Sequence, residues 1–342
     1  MKRGRAALVA VAALNVAVPA VARAFPDALG PRATAMGDAG VADARATDAF
    51  RLNPAAMSLA ALYTVAADYQ FMTKQGGDAL NLGIADSTSD SRIGGGLFYG
   101  HRSASPAGLP SLGAHQAGLV LSYPVSERLM TGVSVKYLHV SGGFEPDGQS
   151  NHSGVTADAG LALRLAPGIT FGVAGYNLHD LSTIQAPLSL GYGLAFAPGS
   201  NLTLVVDALH DFTTSDPTRG VRTNVGGGGE LILSERVAIR IGGGHDGGAH
   251  GPSAGFVTGG LAALSSFGAV DASVRQDLSG TSKVTTIVVG LRLFVQTPQP
   301  SANNPFLPSS TTTDGSTGLP FAPSAAPPPV QPASPSAAPG LH

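Results

Sequence analysis

The chain has 342 residues, a formal net charge of −2, 12% charged residues and no cysteine. Soluble proteins usually carry about 25% charged residues, yet no stretch here has the roughly 20 consecutive apolar residues of a membrane helix, so the apolar surface is spread by alternation. A cysteine-free chain has no disulfide, thiolate metal site or lipid-modified cysteine, and near-neutral charge without a basic patch gives no ground for a nucleic-acid partner.

Residues 1–24 read as a secretory signal peptide. Lys2, Arg3 and Arg5 form the basic start, Ala6 to Val18 an apolar run too short to span a bilayer, and Ala22-Arg23-Ala24 a small-x-small cleavage site. The mature chain is then expected to begin at Phe25 and to work outside the cytoplasm.

Residues 25–60 carry no strand pattern. Gly and Ala recur from Gly30 to Met57, and the stretch ends in Asn53-Pro54-Ala55. Short helices and turns are expected. Asn53 suits an N-cap, Pro54 the first helical position, and Gly37 to Gly40 a turn. Two readings stand side by side: a hatch inside a barrel, or an ordinary N-terminal α-subdomain. On the hatch reading, Asn53, Pro54 and Ala55 are the hinge to the first strand.

From residue 61 to 295 the pattern becomes period-2. Fourteen strands are predicted, at 61–72, 79–86, 92–101, 113–123, 128–140, 153–164, 169–178, 188–197, 201–211, 221–233, 236–244, 253–264, 267–277 and 283–295, near the 9–11 residues of membrane strands. In the eighth, Leu188, Leu190, Tyr192, Leu194 and Phe196 share one face, while Ser189, Gly191, Gly193 and Ala195 share the other. A soluble sandwich also alternates, but its polar face has no need of so many glycines. The connections add a second signal. Those after even strands are tight, as at 124–127, 166–168, 198–200, 234–235 and 265–266. Several after odd strands are longer and polar, as at 103–113 and 141–151. Short turns at one rim and longer loops at the other mark outer-membrane barrels. The fold class is therefore all-β: a 14-stranded antiparallel transmembrane β-barrel, residues 61–295, with an N-terminal α/loop hatch, residues 25–60, in its lumen. Interfacial aromatic girdles would be thin, since Trp is absent and aromatics make up 6%; Tyr63, Tyr69, Phe71, Tyr99, Tyr123, Tyr137 and Phe294 are the candidates. Inward charge candidates are Arg92, Lys136, Asp158, Arg164, Asp207, Arg222, Glu230, Arg236, Arg240, Asp271, Arg275 and Arg292.

Gly30-Pro31-Arg32, Met36-Gly37, Gly40-Val41, Asp48-Ala49 and Asn53-Pro54-Ala55, followed by this strand array, resemble the FadL-type family of outer-membrane hydrophobic-compound transporters, including its shorter PorV/PorQ-like relatives. PVSERL at 124–129 and Asn177-Leu178 are in the same manner. The resemblance implies a 14-stranded barrel closed by a hatch, through which a hydrophobic solute leaves sideways beside a kinked strand. Gly94, Gly95 and Gly96 in the third strand are the candidate kink and lateral opening; the other reading is that they make room for the hatch. The longer connections are short for a fatty-acid transporter, and the lumen is charged.

Other constellations are weaker. His245-Asp246 and His250, His179-Asp180 and His210-Asp211 read as loop or rim residues, and no nucleophile motif frames a serine. No cofactor or metal site is expected. Residues 296–342, with twelve prolines from 297 onward and Asp314 as the lone charged side chain, are expected to be a disordered periplasmic tail. The expected function is passive transport of hydrophobic or other small molecules across the outer membrane of a Gram-negative bacterium. The expected partners are outer-membrane lipid, the barrel-assembly machinery and the solute. The alternatives are a PorV-like scaffold or shuttle for a secreted or periplasmic protein partner, and a membrane-embedded hydrolase.

Overall fold

The computed structural model describes residues 28–295 apart from 74–76, 89–91, 106–110, 143–150, 180, 182–185, 213–220, 248–253 and 280–282. The expected signal peptide, the tail and His250 lie outside the described residues.

Fourteen antiparallel strands follow one another in chain order and close on themselves: β1 (Tyr63–Met72), β2 (Gly77–Asp86), β3 (Gly94–Ala104), β4 (Leu112–Pro124), β5 (Leu129–Gly142), β6 (Asn151–Ala166), β7 (Ile169–Tyr176), β8 (Leu188–Phe196), β9 (Leu202–Phe212), β10 (Val221–Leu233), β11 (Val237–Gly247), β12 (Ala254–Ser265), β13 (Gly268–Asp277) and β14 (Thr285–Phe294). The barrel closes where β1 meets β14, from Thr64↔Phe294 to Met72↔Thr286. Closure gives every strand a partner on both sides, which is what a sheet needs where no water can pair its backbone. The turns β4–β5, β6–β7, β10–β11 and β12–β13 occupy residues 125–128, 167–168, 234–236 and 266–267. The connections β5–β6, β7–β8 and β9–β10 occupy 143–150, 177–187 and 213–220. One rim is thus tightly turned and the other carries the longer segments.

Alternation sorts the residues as the pleat demands. On β8, Leu190, Tyr192, Leu194 and Phe196 face outward and Ser189 is buried inside. The same outward apolar column recurs on β1, β4, β5, β11 and β14, for example Val133, Val135 and Tyr137 on β5. A wall this apolar outside and this polar inside is the inverse of a soluble domain, and its solvent is hydrocarbon. Of the girdle candidates, Tyr69, Phe71, Tyr99, Tyr123 and Tyr137 are exposed outward. Phe294 is a correction: it packs inside with Ala238, Ala262 and Leu264, because it shares the inward parity of Arg292.

The ladder runs unbroken through the candidate kink. Gly94, Gly95 and Gly96 pair with Ser122, Leu121 and Val120 on β4, and Gly95 and Gly96 also pair with Asp86 and Ala85 on β2. A register shift falls instead between Arg164 and Ala166, where β6 meets β7. Beyond Ala159 the β6–β7 ladder stops, and β6 continues to Asn151 paired with β5.

Residues 28–60 fill the lumen. α1 (Pro31–Ala35), a 3₁₀ turn (Ala46–Asp48), α2 (Ala49–Leu52) and a 3₁₀ helix (Pro54–Leu59) follow one another without a strand. Pro31 and Pro54 open their helices at positions where the missing N–H costs nothing. The hatch is small because its seat is tight. A methyl group on Gly228 would lie 2.7 Å from Cα of Met36, and one on Gly242 2.5 Å from the amide of Gly37. Wall backbone and hatch backbone are in contact there, so β10 and β11 need glycine.

Candidate functional site

The hatch is held at three kinds of contact. The first is a buried chain of alternating charges. Arg32 on α1 donates to Asp43 at 2.6 Å and to Glu230 on β10 at 3.2 Å. Glu230 accepts from Arg240 at 2.7 Å, Arg240 donates to Asp271 at 2.6 Å, and Arg292 donates to the other oxygen of Asp271 at 2.6 Å. Burial opposes the charge on Arg32, but Glu230 and Asp43 outweigh it and hold its pKa above the ordinary value. Beside this network, Arg275 donates to Asp38 of the hatch and to Asp246 at 2.7 Å, with its guanidinium 3.4 Å from the Phe256 ring centroid. Each buried charge here has partners, which is the condition for tolerating it.

The second contact is a pair of caps. Asp207 on β9 accepts from the amides of Gly40 (2.5 Å) and Val41 (2.7 Å). Asn53 accepts from Ala55 at 3.1 Å and donates to the carbonyls of Val41 and Leu161, both at 2.9 Å. The triplet expected as a hinge is therefore pinned to the wall through Asn53, which is fully buried. The third contact is apolar. Phe50 stacks on Phe98 of β3 with centroids 5.6 Å apart, joined by Leu52, Met57, Leu62, Ala85 and Val120. A methyl group on Gly96 would meet Phe50 at 2.5 Å and one on Gly94 would meet Met57 at 3.2 Å, while Gly95 faces outward toward Leu121. Gly94 and Gly96 make room for hatch side chains.

Above the hatch, toward the rim of longer connections, lies a cavity of about 120 Å³. Its floor includes Phe50, Arg51 and Leu52, and its walls include Phe98, Gln116, Lys136, Asp158, Ser189 and Asp211. Lys136 donates to both oxygens of Asp158 at 2.8 Å, and Asp158 also accepts from Ser134 (2.9 Å) and from the amide of Asn177 (2.8 Å). Asn177, at φ 53°, donates to the Pro187 carbonyl at 3.0 Å and so ties the β7–β8 connection to the wall. Arg51 differs from every other lumen cation described above. Its Nε and Nη2 are buried without an acceptor, and the guanidinium sits 5.7 Å from the Phe98 ring centroid. Burial pulls its pKa down to about 10, with Asp68 and Asp48 only partly opposing, so it keeps its charge at neutral pH.

Of the inward candidates, Lys136, Asp158, Asp207, Glu230, Arg240, Asp271, Arg275 and Arg292 are buried in the lumen. Arg222 sits half-buried near Asp246, at 4.0 Å. Arg164 lies at the tight-turn rim and donates to the Leu59 and Glu127 carbonyls. Arg92 and Arg236 are corrections. Arg92 is in the turn before β3 at φ 62°, and Arg236 is exposed in the β10–β11 turn, so strand parity governs neither. Asp246 turns inward to Arg275 while its neighbour His245 is exposed outside, and Asp211 accepts from Ser189 at 2.7 Å while His210 contacts Tyr192 and Thr223. Adjacent residues of a strand point to opposite faces, so these His-Asp pairs are not brought together. Arg51 and Gln116 were missed, and Asp211, expected at the rim, lines the cavity. Arg51 carried a signal, being a charged residue beside Phe50 in an otherwise small-residue stretch.

The sequence matches no protein-family model and no curated protein. The structure is similar to several solved barrels. The CymD monoaromatic hydrocarbon channel superposes with a TM-score of 0.63 at 15% identity, covering 79% of this chain and 98% of that one. The toluene transporter TbuX of Ralstonia pickettii gives 0.59 at 14%, covering 80% and 100%. A FadL homologue of Pseudomonas aeruginosa gives 0.57 at 12%, covering 78% and 97%. The structural neighbours are thus hydrophobic-compound transporters of the FadL type, and this chain has their fold.

Proposed function

We propose that this chain is an outer-membrane protein that passes small molecules passively and that the hatch is its gate. One observation carries the reading: a segment of small residues, outside the strand ladder, fills the lumen directly beneath a solute-sized cavity. The outward apolar band supports a place in the bilayer, and the fold shared with monoaromatic and toluene transporters supports a small solute with an apolar body. A cavity of about 120 Å³ is far below the roughly 300–1,000 Å³ of sites for larger ligands, which argues against a long acyl chain lying wholly inside it. Asn53, Pro54 and Ala55 belong to the gate as its anchor. Gly94 and Gly96 belong to it as the seat of Phe50 and Met57, and we assign them no opening of the wall. Lys136, Asp158, Asp207 and Arg275 line or brace the path, and Glu230, Arg240, Asp271 and Arg292 hold the gate shut.

The test is solute flux into liposomes holding the full chain, wild type against Glu230→Gln. Gating predicts faster flux when the clamp between Arg32 and Arg240 is broken. Equal, measurable flux in both would remove the hatch from the path. The clamp also favours a second reading, a sealed barrel that serves as scaffold for a secreted or periplasmic protein. Absence of flux in wild type and variant alike would select it.

A further inference from the structure

The outer face of β3, β4 and β5 changes chemistry in ordered steps toward the rim of longer connections. Register sets Leu97, Leu119 and Val135 in one row across the three strands, and Tyr99, Ala117 and Tyr137 in the next. His101, His115 and His139 form the row after that, and Ser103, Gly113 and Ser141 the last. The leucines, the valine and both tyrosines are exposed outward, and the histidines share their parity. His115 is exposed, and His101 and His139 are half-buried. Tyrosine on a membrane barrel marks the level where hydrocarbon gives way to headgroups. The imidazoles stand two residues beyond it, about 7 Å along a strand.

The row is rich in donors and poor in anions. The rings of His101 and His115 lie 4.5 Å apart, centroid to centroid. The hydroxyl of Tyr99, which stands opposite Ala117, is hydrogen-bonded with Nδ1 of His115 at 2.8 Å. The same diagonal recurs elsewhere on the outer face: Tyr192 stands opposite Ala208, and its hydroxyl meets His210 at 3.2 Å. Among the described residues, the other titratable groups facing the row are Tyr69 and Asp78 on the β1–β2 side and Tyr99 and Tyr137 below it, while β6 adds Ser153 and Asn151. Asp78 already accepts from Ser103 and, at 3.5 Å, from Tyr69. Also among the described residues, no three histidine or acidic side chains are placed to hold a metal ion. The apolar rows lead straight into the imidazoles, so a molecule that reaches them along the barrel wall lies with its apolar part on Leu97 and Tyr99. That is the build of a lipid. Imidazole changes charge between about pH 8 and pH 5, and an anion shared between neighbouring rings favours the charged form.

We propose that the outer face of β3 to β5 is a docking site for an anionic lipid, its headgroup phosphate held by His101, His115 and His139 and its acyl chains lying along Tyr99 and Leu97. Tyr99 positions His115 through its hydroxyl. The site depends on the barrel standing in a bilayer and not on what passes through the lumen, so solute flux tests the gating reading and leaves this one untouched.

The experiment is binding of fluorescent phosphatidylglycerol to the full chain in dodecyl maltoside, read by anisotropy, against diacylglycerol with the same label and with inorganic phosphate as competitor. Phosphatidylglycerol is expected to bind more tightly than diacylglycerol, and more tightly at about pH 5.5 than at about pH 8. Combining His101→Gln, His115→Gln and His139→Gln should weaken phosphatidylglycerol about 10- to 100-fold, the range for hydrogen bonds to a charged group. It should also flatten the pH dependence and leave diacylglycerol unchanged. A second variant, His115→Lys, carries its charge across the whole pH range and should tighten phosphatidylglycerol at about pH 8; it keeps the test open if the triple variant fails to fold. Three results would overturn the site: diacylglycerol binding as tightly as phosphatidylglycerol, the folded triple variant binding like wild type, or inorganic phosphate displacing the lipid at equal concentration, which would make the row a free-anion site.

Discussion

The two halves of the hatch are held by different physics. Residues 31–45 lie against β7 to β14 and are held largely by charge: Arg32 on Glu230, Asp38 on Arg275, Asp43 between Arg32 and Arg45, and the amides of Gly40 and Val41 on Asp207. Residues 46–59 lie against β1 to β7 and are held by packing and caps: Phe50 on Phe98, Met57 over Gly94, Asn53 on Leu161. An ionic clamp is strong only while every partner is present, because the loss of one leaves the others buried and unpaired. Apolar packing fails gradually, by the volume removed. The first half is therefore built as a latch that can be released at one residue, and the second as a fixed foot. The cavity lies where they meet, its floor made of Gly37 and Asp38 from one half and Phe50 and Arg51 from the other.

The sharpest way to break this contrast is Glu230→Gln. Glu230 stands between Arg32 and Arg240, and removing its charge leaves two buried guanidinium groups facing a neutral amide. The expected loss is about 3–5 kcal/mol, read by urea unfolding in vesicles, with protease access gained at residues 31–45 and not at 46–59. Phe50→Ala should cost a similar or slightly smaller amount, about 3–4 kcal/mol by the cavity it leaves, with the opposite pattern of protease access. If both variants expose the same half, the hatch is one cooperative unit and the latch-and-foot distinction falls.

Much of this was legible in the sequence, for reasons that differ by region. Period-2 patterning located all fourteen strands because an apolar column facing lipid cannot slip by one residue without burying charge in hydrocarbon. Turn lengths located the rims. The same parity rule placed Lys136, Asp158, Glu230 and Arg292 inside, and it failed at Arg92 and Arg236 because turn residues have no parity. The hatch was visible as a small-residue stretch, but its contacts were not. Which wall glycine meets Met36, and which acid meets Arg32, depends on pairings about 200 positions apart in sequence, such as Arg32 with Glu230. Arg51 was overlooked for a related reason: a lone cation is informative only once its lack of an acceptor is seen.

Two smaller changes sharpen the comparison. Asn53→Ala should cost about 2 kcal/mol, combining a lost N-cap with the unpaired carbonyls of Val41 and Leu161; since Asn53 touches both halves, it should loosen both. Asp48→Asn should act in the other direction. Oδ2 of Asp48 is buried and lacks a donor, and burial raises the pKa of the carboxyl above 3.8 against the pull of Arg292 and Arg32. A carboxyl whose folded pKa is raised binds its proton more tightly in the native state, so stability falls as pH rises from 3.8 through the folded value and stays lower above it. The destabilisation is thus present at neutral pH and absent below 3.8. Asn removes the titration, so unfolding midpoints at pH 7 should rise slightly, by less than the other changes because Arg292 and Arg32 already offset part of the cost. Midpoints of wild type and variant should converge as the pH is lowered toward 4. A variant that is less stable at pH 7 would show instead that the charge of Asp48 is needed by Arg292 and Arg32, and would extend the ionic latch into the foot.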